Sequence, residues 1–270
     1  EFTGYSSLQD SGRVIGIFSK ENEKLDSVPE DEEVLLLLDK SPFYGESGGQ
    51  IGDHGSLENA NANFEVVDTQ KQGDAHIHRG ILKRGSLAMS DEVSAQVAED
   101  DRHAVTLNHS ATHLMHSALR NILGAHVAQR GSLVAADRLR FDFSHSSPVT
   151  EEELRSIEYQ VNAEILANSE VSKEVMPLDE AKKRGALALF GEKYGDEVRV
   201  VTMGGEYSVE FCGGCHVNRT GDIGLFKIIS ETGISAGVRR VEAVTGKGAL
   251  ALIIQEEQIL KQVGLSLIHI

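Results

Sequence analysis

The chain has few of the features that would place it outside the cell or in a membrane. Only two of its 270 residues are cysteine, and they lie close together as Cys212 and Cys215. Two neighbouring thiols do not make a disulfide framework, and their scarcity favours a reducing compartment, which we expect to be the cytoplasm. There is no apolar run near membrane-spanning length, no secretory signal and no low-complexity tract. We therefore expect a globular protein without a membrane partner.

Basic residues are also scarce. The chain has 26 lysines and arginines against 42 acidic residues, a formal net charge of -16. This charge argues against nucleic-acid binding through overall electrostatics. The deficit is uneven, since residues 1–100 have 20 acidic and 8 basic side chains whereas residues 101–246 have 20 and 16. An RNA partner is therefore expected to contact the second part, through local arginines.

Two common catalytic signatures are missing. The glycine-rich segment 41–53 lacks the lysine and the spacing of a P-loop, so it does not predict nucleotide binding. A tight bend at the corner of a barrel is the preferred interpretation of this segment. No lysine/serine pair and no Ser/His/Asp grouping offers a convincing nucleophile, which favours direct attack by water in any hydrolytic reaction.

The sequence does contain two groups of metal-ligand residues. His109 and His113 are four residues apart in a run with helical apolar spacing (104–123), so both imidazoles lie on one helix face. Cys212 and His216 have the same spacing in a glycine-rich turn, whose two glycines are expected to let the chain bend tightly. Three imidazoles and a thiolate suit Zn²⁺, and we predict a zinc site. The alternative is that one or more of these histidines is an ordinary surface or core residue.

The spacing of apolar residues predicts a small β-barrel domain over residues 1–100. Short strand-like segments separated by glycine turns are typical of such barrels. The predicted strands are residues 13–18, 34–39, 64–68, 75–82 and 93–97. His76 and His78 alternate along the fourth of them, and we expect both at a surface or an interface.

Residues 101–246 predict an α+β domain, because helical and strand-like spacing alternate there. The predicted helices run from about 101 to 124, from 151 to 168 and onward from 179. The predicted strands are 128–134, 138–143, 171–176, 198–203, 206–211, 225–231 and 238–244. Residues 247–270 have the spacing of another helix, expected to begin a linker toward an absent C-terminal region.

Motifs spread from residue 2 to residue 246 together resemble the bacterial alanine–tRNA ligases. They are Phe2-Thr3-Gly4-Tyr5 and residues 42–53, 108–115, 131–133, 140–143, 188–194, 212–216, 220–224 and 237–246. The resemblance implies a small barrel domain followed by a zinc-containing editing domain like the second additional domain of threonyl- and alanyl-tRNA synthetases. The chain begins with Glu rather than Met, so we expect a fragment whose aminoacylation core lies upstream. Cys215 departs from the family, which more often has Thr there, and this leaves open which thiol would bind the ion.

The resemblance also implies a reaction, the hydrolysis of the ester of tRNA(Ala) wrongly charged with serine or glycine. Thr112 and Gln129 match positions linked to substrate discrimination in the family. From the residues alone, each has a plainer interpretation: Thr112 as a helix-packing residue, Gln129 as a polar residue at the end of a strand. His116 lies near the face of the two helix histidines and is expected to support a ligand or to be unrelated to the metal.

Candidate phosphate contacts in the second part are Arg130, Arg219, Arg239 and Arg240. A further basic cluster, residues 182–184, is equally well explained as a solvated helix face. Two alternatives to an editing fragment remain. One is a freestanding protein of the same superfamily that edits in trans. The other is a zinc-stapled RNA-binding module without catalysis, in which four protein ligands close the coordination sphere.

Overall fold

The computed structural model describes residues 1–188 and 194–268. Most of the motif at residues 188–194 therefore lies outside the described residues. The chain divides into two compact units, Glu1–His103 and Ala104–Ile270. Within the described residues, none of the helices combines the length and the apolar character that a membrane crossing requires.

The first unit is built on a closed six-stranded barrel, which confirms the predicted barrel. Its strands are β1 (Gln9–Phe18), β2 (Glu33–Leu38), β3 (Gly55–Glu58), β4 (Ala62–Gln72), β5 (Ala75–Gly85) and β6 (Glu92–Val97). They are hydrogen-bonded in the order β1-β2-β5-β4-β3-β6, with every pair antiparallel. Alternate residues of β2 are buried, because successive side chains of a strand point to opposite faces. Strand β3 escaped the sequence analysis since only Leu57 of its four residues is buried.

His78 is buried inside this unit, so its predicted surface position is wrong. Its side chain lies 2.6 Å from the Ser41 hydroxyl and 3.1 Å from the Leu36 carbonyl oxygen. These two partners satisfy both ring nitrogens, which makes an imidazole tolerable in an apolar interior. Burial lowers the pKa of His78 to about 4. His76 is half-buried, with its ring stacked on Phe2 at 5.0 Å between centroids.

The glycine-rich segment forms an irregular bend between β2 and β3. Gly48 and Gly49 have positive φ values of 59° and 86°, which glycine adopts at little cost. At Gly52 a Cβ atom would lie 1.9 Å from the carbonyl oxygen of Thr69. The segment therefore needs glycine for its turn and for close packing against the barrel.

A buried ion pair between Asp53 of this bend and Arg102 joins two parts of the first unit. Arg102 and Asp53 have side chains only 4% and 5% exposed. The guanidinium Nε donates to both carboxylate oxygens at 2.9 and 3.0 Å, and its other nitrogens donate to the carbonyls of Gly4 and Pro42. Asp53 also accepts the backbone N–H of Tyr44 at 2.6 Å. The pair thus satisfies backbone groups from two separate loops.

The second unit combines helices with two antiparallel sheets, in agreement with the predicted mixture. Helix α1 (Glu99–Leu123) begins with three acidic residues, which complement the positive end of the helix dipole. The other elements are β7 (Gln129–Val134), β8 (Leu139–Ser144), α2 (Glu151–Ala167), β9 (Ser172–Pro177), α3 (Leu178–Lys183), β10 (Glu197–Met203), β11 (Ser208–Phe211), β12 (Phe226–Ser235), β13 (Val238–Thr245) and α4 (Gly246–Ile268). The sheets have the orders β12-β13-β8-β7 and β11-β10-β9.

The main core of this unit lies between α1, α2 and the four-stranded sheet. Helix α1 contributes Leu114 and Met115, and the sheet contributes Phe141 and Phe143, all fully buried. Burying side chains of this size stabilises the unit by about 1.5–3 kcal/mol each. Packing against this core therefore anchors one face of α1. It also holds in place the buried polar residues on the same helical turns.

Candidate metal centre

Helix α1 places three histidines in the interior of the second unit. His109, His113 and His116 are each no more than 5% exposed. The first two are separated by four residues and stack with their ring centroids 5.3 Å apart. Helical periodicity produces this stack, because residues i and i+4 lie one above the other on a helix.

The loop that follows β11 brings the remaining donors to the same place. Cys212 directly follows this strand and is half-buried. Arg199 on β10 holds the loop, because its Nη1 donates to the carbonyl oxygens of Cys212 and Gly214 at 2.8 and 2.9 Å. Gly213 and Gly214 are not among the glycines with positive φ, so the bend does not depend on a left-handed backbone there.

Four predicted ligands converge into one cluster. The donor atoms of His109, His113, Cys212 and His216 all lie within 4.8 Å of one another. The thiol sulfur is 3.1 Å from Nε2 of His216 and 3.4 Å from Nε2 of His109. Residues about one hundred positions apart in the chain thus meet, and they supply the imidazole and thiol donors expected from the sequence.

A buried carboxylate from β11 lies beside two of the helix histidines. Glu210 is 3% exposed, and its two oxygens lie 2.6 Å from Nδ1 of His113 and 2.8 Å from Nδ1 of His116. No role was predicted for this residue from the sequence. Its signal was an acidic side chain within the otherwise apolar end of a strand, two residues before Cys212 and hence on the same face.

Similar support reaches His216 through a hydroxyl. Ser110 Oγ donates to the carbonyl oxygen of Thr106 at 2.8 Å, accepts the backbone N–H of Val217 at 3.1 Å and lies 3.3 Å from Nδ1 of His216. Since the hydroxyl hydrogen is used by Thr106, Nδ1 of His216 is the donor in the last contact. Its Nε2 then presents a lone pair to the cluster, the form in which imidazole binds a metal.

The electrostatics favour ionised and neutral forms that suit a cation. Burial raises the pKa of the Cys212 thiol, but the three surrounding histidines outweigh it and lower the pKa well below its usual range. Burial lowers the pKa of His216 to about 3. A thiolate beside a neutral imidazole is the combination that ligates zinc.

Glu210 and His113 form a buried charged pair. Burial alone would raise the pKa of Glu210, yet the two histidines lower it to about 2. Burial would likewise lower the pKa of His113, but Glu210 and Cys212 raise it to about 10. Each partner therefore stabilises the charge of the other, and a metal ion that binds Nε2 of His113 would release the proton from that nitrogen.

The residues fit a zinc ion. A tetrahedral zinc with bonds of about 2.0–2.3 Å separates its ligands by roughly 3.3–3.8 Å, so the four donors need only small shifts to bind one. Nε2 of His113, like that of His116, is buried and has no hydrogen-bond partner among the described residues, but only His113 belongs to the four-donor group. An unpaired nitrogen of this kind is costly unless something binds it, and the thiolate and the two other imidazoles surround the position where an ion would do so.

The two residues predicted to discriminate substrates occupy different settings. Thr112 is 5% exposed on α1, and its hydroxyl donates to the carbonyl oxygen of Asn108 at 2.8 Å. The hydroxyl oxygen keeps capacity to accept a further hydrogen bond. Gln129 is half-buried at the first position of β7, with Phe143 as its register partner. Neither belongs to the four-donor cluster, and their role in discrimination stays a prediction.

Hydrogen bonds within the chain hold Arg219, Arg239 and Arg240, which are among the arginines predicted to contact RNA. Arg239 donates to Glu231 at 2.7 Å, and Arg240 forms two bonds to Asp142 at 2.7 and 2.8 Å. Arg219 donates from its Nε to the Asn168 side chain at 3.1 Å. The carboxylates offset the charges of the first two, so an RNA phosphate would have to share these guanidinium groups. Arg130 is exposed on β7, and the RNA-binding role of all four stays a prediction.

A surface pocket of about 240 Å³ lies beside the C-terminal half of α1. Its lining includes Arg120 and Tyr207, and none of the four cluster residues takes part in it. Arg120 donates to the carbonyl of Val127 at 2.6 Å, which accounts for its orientation. The pocket is therefore separate from the metal cluster.

Comparison with known proteins identifies two family models along the chain. The model described as "tRNA synthetases class II (A)" matches residues 1–101, and the model described as "Threonyl and Alanyl tRNA synthetase second additional domain" matches residues 198–242. The second match includes Cys212 and His216.

Individual relatives are similar over almost all of the chain. The alanine–tRNA ligase of Pseudomonas fluorescens is 55% identical over 262 residues, which is 97% of this chain and 30% of the relative. The corresponding protein of Pseudomonas syringae pv. syringae is 55% identical and that of Shewanella loihica 53% identical, with the same coverage. The chain thus spans about 30% of the length of these curated relatives.

Proposed function

Because the chain belongs to the alanine–tRNA ligase family, we propose that it is the part of such a ligase that corrects mischarging. The resemblance read from the motifs is confirmed by the relatives. The proposed reaction is hydrolysis of the ester between tRNA(Ala) and a wrongly attached serine or glycine. The proposed partners are tRNA(Ala), which carries the wrong amino acid, and the aminoacylation domain of the same polypeptide. The proposed location is the cytoplasm.

The convergence of His109, His113, Cys212 and His216 carries this proposal. Four buried or half-buried donors of the type that zinc prefers lie in the unit that contains the second-additional-domain match. When bound there, a zinc ion supplies Lewis acidity for the ester carbonyl or binds the amino group of the substrate.

The chain's own residues would position the substrate and exclude bulk water. Buried histidines held through their Nδ1 atoms keep a fixed donor geometry, and the surrounding core limits access of bulk water. Thr112 lies one residue before a ligand on α1, where its hydroxyl oxygen can accept a hydrogen bond from a serine side chain. A site built to hydrogen-bond the serine hydroxyl discriminates strongly against alanine, which lacks it. A small apolar synthetase pocket cannot reject serine comparably well, because serine differs from alanine only by an added hydroxyl.

The same cluster supports a second candidate function. Four protein donors complete a tetrahedral zinc sphere, as in structural zinc sites, whereas catalytic sites usually keep one position for water or substrate. The alternative is therefore a metal-stapled RNA-binding module without hydrolytic activity.

Deacylation assays separate these two functions. The purified chain is incubated with Ser-tRNA(Ala), Gly-tRNA(Ala) and Ala-tRNA(Ala), with and without a zinc chelator, and circular dichroism follows the fold in parallel. Editing requires hydrolysis of the serine or glycine ester faster than the alanine ester, with loss of activity after chelation. A zinc-loaded, folded chain that binds tRNA but hydrolyses none of the three esters would support the RNA-binding module instead.

A further inference from the structure

We propose that Glu210 is a positioning residue for the metal ligand His113, and that His116 holds the Glu210 carboxylate in place without binding the metal. This inference rests on the proposed metal centre. It assigns a purpose to two buried polar side chains outside the four-donor cluster.

The geometry gives each oxygen of one carboxylate its own imidazole. Glu210 Oε2 lies 2.6 Å from His113 Nδ1, and Oε1 lies 2.8 Å from His116 Nδ1. All three side chains are buried, with at most 7% of each exposed. An ionised carboxylate only accepts hydrogen bonds, so both Nδ1 atoms are donors.

This arrangement determines which nitrogen of His113 is offered to the ion. With its hydrogen on Nδ1, a neutral His113 has a lone pair on Nε2, the nitrogen that lacks a hydrogen-bond partner among the described residues. A carboxylate behind a histidine ligand fixes its tautomer and ring orientation and strengthens it as a donor. Loss of such a partner typically weakens metal binding about 10–100-fold.

His116 is suited to hold the carboxylate rather than the metal. It is one helical turn from His113, and its ring packs against Phe141 at 5.1 Å between centroids. It is absent from the four-donor group. The contact with Phe141 fixes the ring, and the ring in turn fixes the second oxygen of Glu210, so that the carboxylate has no freedom to turn away from His113.

The test compares zinc affinities of the full chain and three variants by competition with a chromophoric chelator. Glu210→Leu removes both acceptors at similar volume, and we expect its affinity for Zn²⁺ to fall about 10–100-fold. Glu210→Gln keeps one acceptor for two imidazoles and should fall between this variant and the parent. His116→Leu tests the second half of the proposal, since it deletes the partner that holds this carboxylate but leaves the bond between Glu210 and His113. Its affinity should fall, but by less than that of Glu210→Leu, because the carboxylate that accepts from His113 is still present.

Two further measurements separate positioning from a structural role. Circular dichroism of the metal-free proteins gives the folded fraction, and the absorption spectrum of Co²⁺-substituted protein reports the coordination geometry. A positioning role predicts a changed Co²⁺ spectrum in Glu210→Leu at an unchanged folded fraction. Should that variant not fold, Glu210→Gln carries the same comparison.

Several results would overturn the inference. They are parent-like zinc affinity in a folded Glu210→Leu or His116→Leu variant, or an equal loss of affinity in the two. If the parent binds no zinc, the metal centre itself fails and the inference fails with it. If the parent binds zinc yet hydrolyses no ester, the proposed function fails, while the affinities of the variants still decide the role of Glu210.

Discussion

The two cysteines offer a sharp test of the metal centre, because the structure separates their roles. Cys212 Sγ lies 3.1 Å from His216 Nε2 and 3.4 Å from His109 Nε2, inside the four-donor cluster. Cys215 is buried at 6% exposure, and among the described residues the cluster does not include it. We therefore expect Cys212→Ser to abolish zinc retention and Cys215→Thr to preserve it.

The size of the expected stabilisation by zinc follows from the number of metal sites. One cluster binds one ion, and a ligand that binds only the folded state stabilises it by RT ln(1 + [L]/Kd). Above the Kd, each tenfold rise in free zinc should add about 1.4 kcal/mol to the free energy of unfolding. At one hundred times the Kd the total is about 2.7 kcal/mol.

The assay is urea unfolding at a series of buffered zinc concentrations, followed by the helical circular dichroism signal, with metal content measured in parallel. The parent and Cys215→Thr should share the slope of about 1.4 kcal/mol per decade, and Cys212→Ser should have a slope near zero. A reversal of these two variants would assign the thiol ligand to Cys215. A parent whose stability does not respond to zinc would refute the metal centre.

Four further predictions use other parts of the chain. Arg102→Met should destabilise the first unit by about 3–5 kcal/mol, because it leaves the buried Asp53 carboxylate without its charged partner. The control Arg155→Met, which breaks an exposed ion pair within a helix, should lower the free energy of unfolding by less than about 0.5 kcal/mol in the same urea experiment. Burial lowers the folded-state pKa of His78 from its ordinary value of 6.5 to about 4. The contribution of this residue to the free energy of unfolding is therefore fully present above pH 6.5 and is lost as the pH falls toward 4. The full loss is about 3 kcal/mol, and His78→Gln should flatten this part of the profile of unfolding free energy against pH; parallel profiles would contradict the assignment. Thr112→Phe should lower the ratio of Ser-tRNA(Ala) to Ala-tRNA(Ala) deacylation at unchanged zinc content, since overfilling a small pocket typically costs about 1–3 kcal/mol. An unaltered ratio would mean that Thr112 is a packing residue. Arg239→Ala should weaken hydrolysis of the serine ester on tRNA more than that of a minimal serine ester, because a remote phosphate contact acts only on the longer substrate; equal losses would place the arginine beside the ester.

Local signals in the sequence were sufficient for most of the secondary structure. Helix α2 begins at a capping box in which Thr150 and Glu153 bond each other's backbone, and both partners are only three residues apart. A short, fully apolar run likewise predicted β2, and the helical spacing of apolar residues predicted α1. These features depend on neighbours along the chain, so the order of residues determines them directly.

The pairing of the metal-ligand residues was predictable for a related reason. His109 and His113 share a helix face because of the helical period, and Cys212 and His216 share a short loop. Each half of the cluster is thus a local arrangement. That the two halves would meet was inferred from their complementary chemistry, and the structure shows the distances at which they do.

Only the tertiary structure decided which polar side chains support these elements. Glu210 reaches His113 across 97 positions of sequence, and Arg240 reaches Asp142 across 98. His78 faces a hydroxyl 37 positions away, inside a barrel whose closure no single strand can signal. Burial of a charged or polar group is tolerated only when a partner satisfies it, and that partner is supplied by strand order and helix packing. Sequence spacing therefore determined where donors could lie along each element, whereas long-range packing determined which of them became buried, paired and oriented.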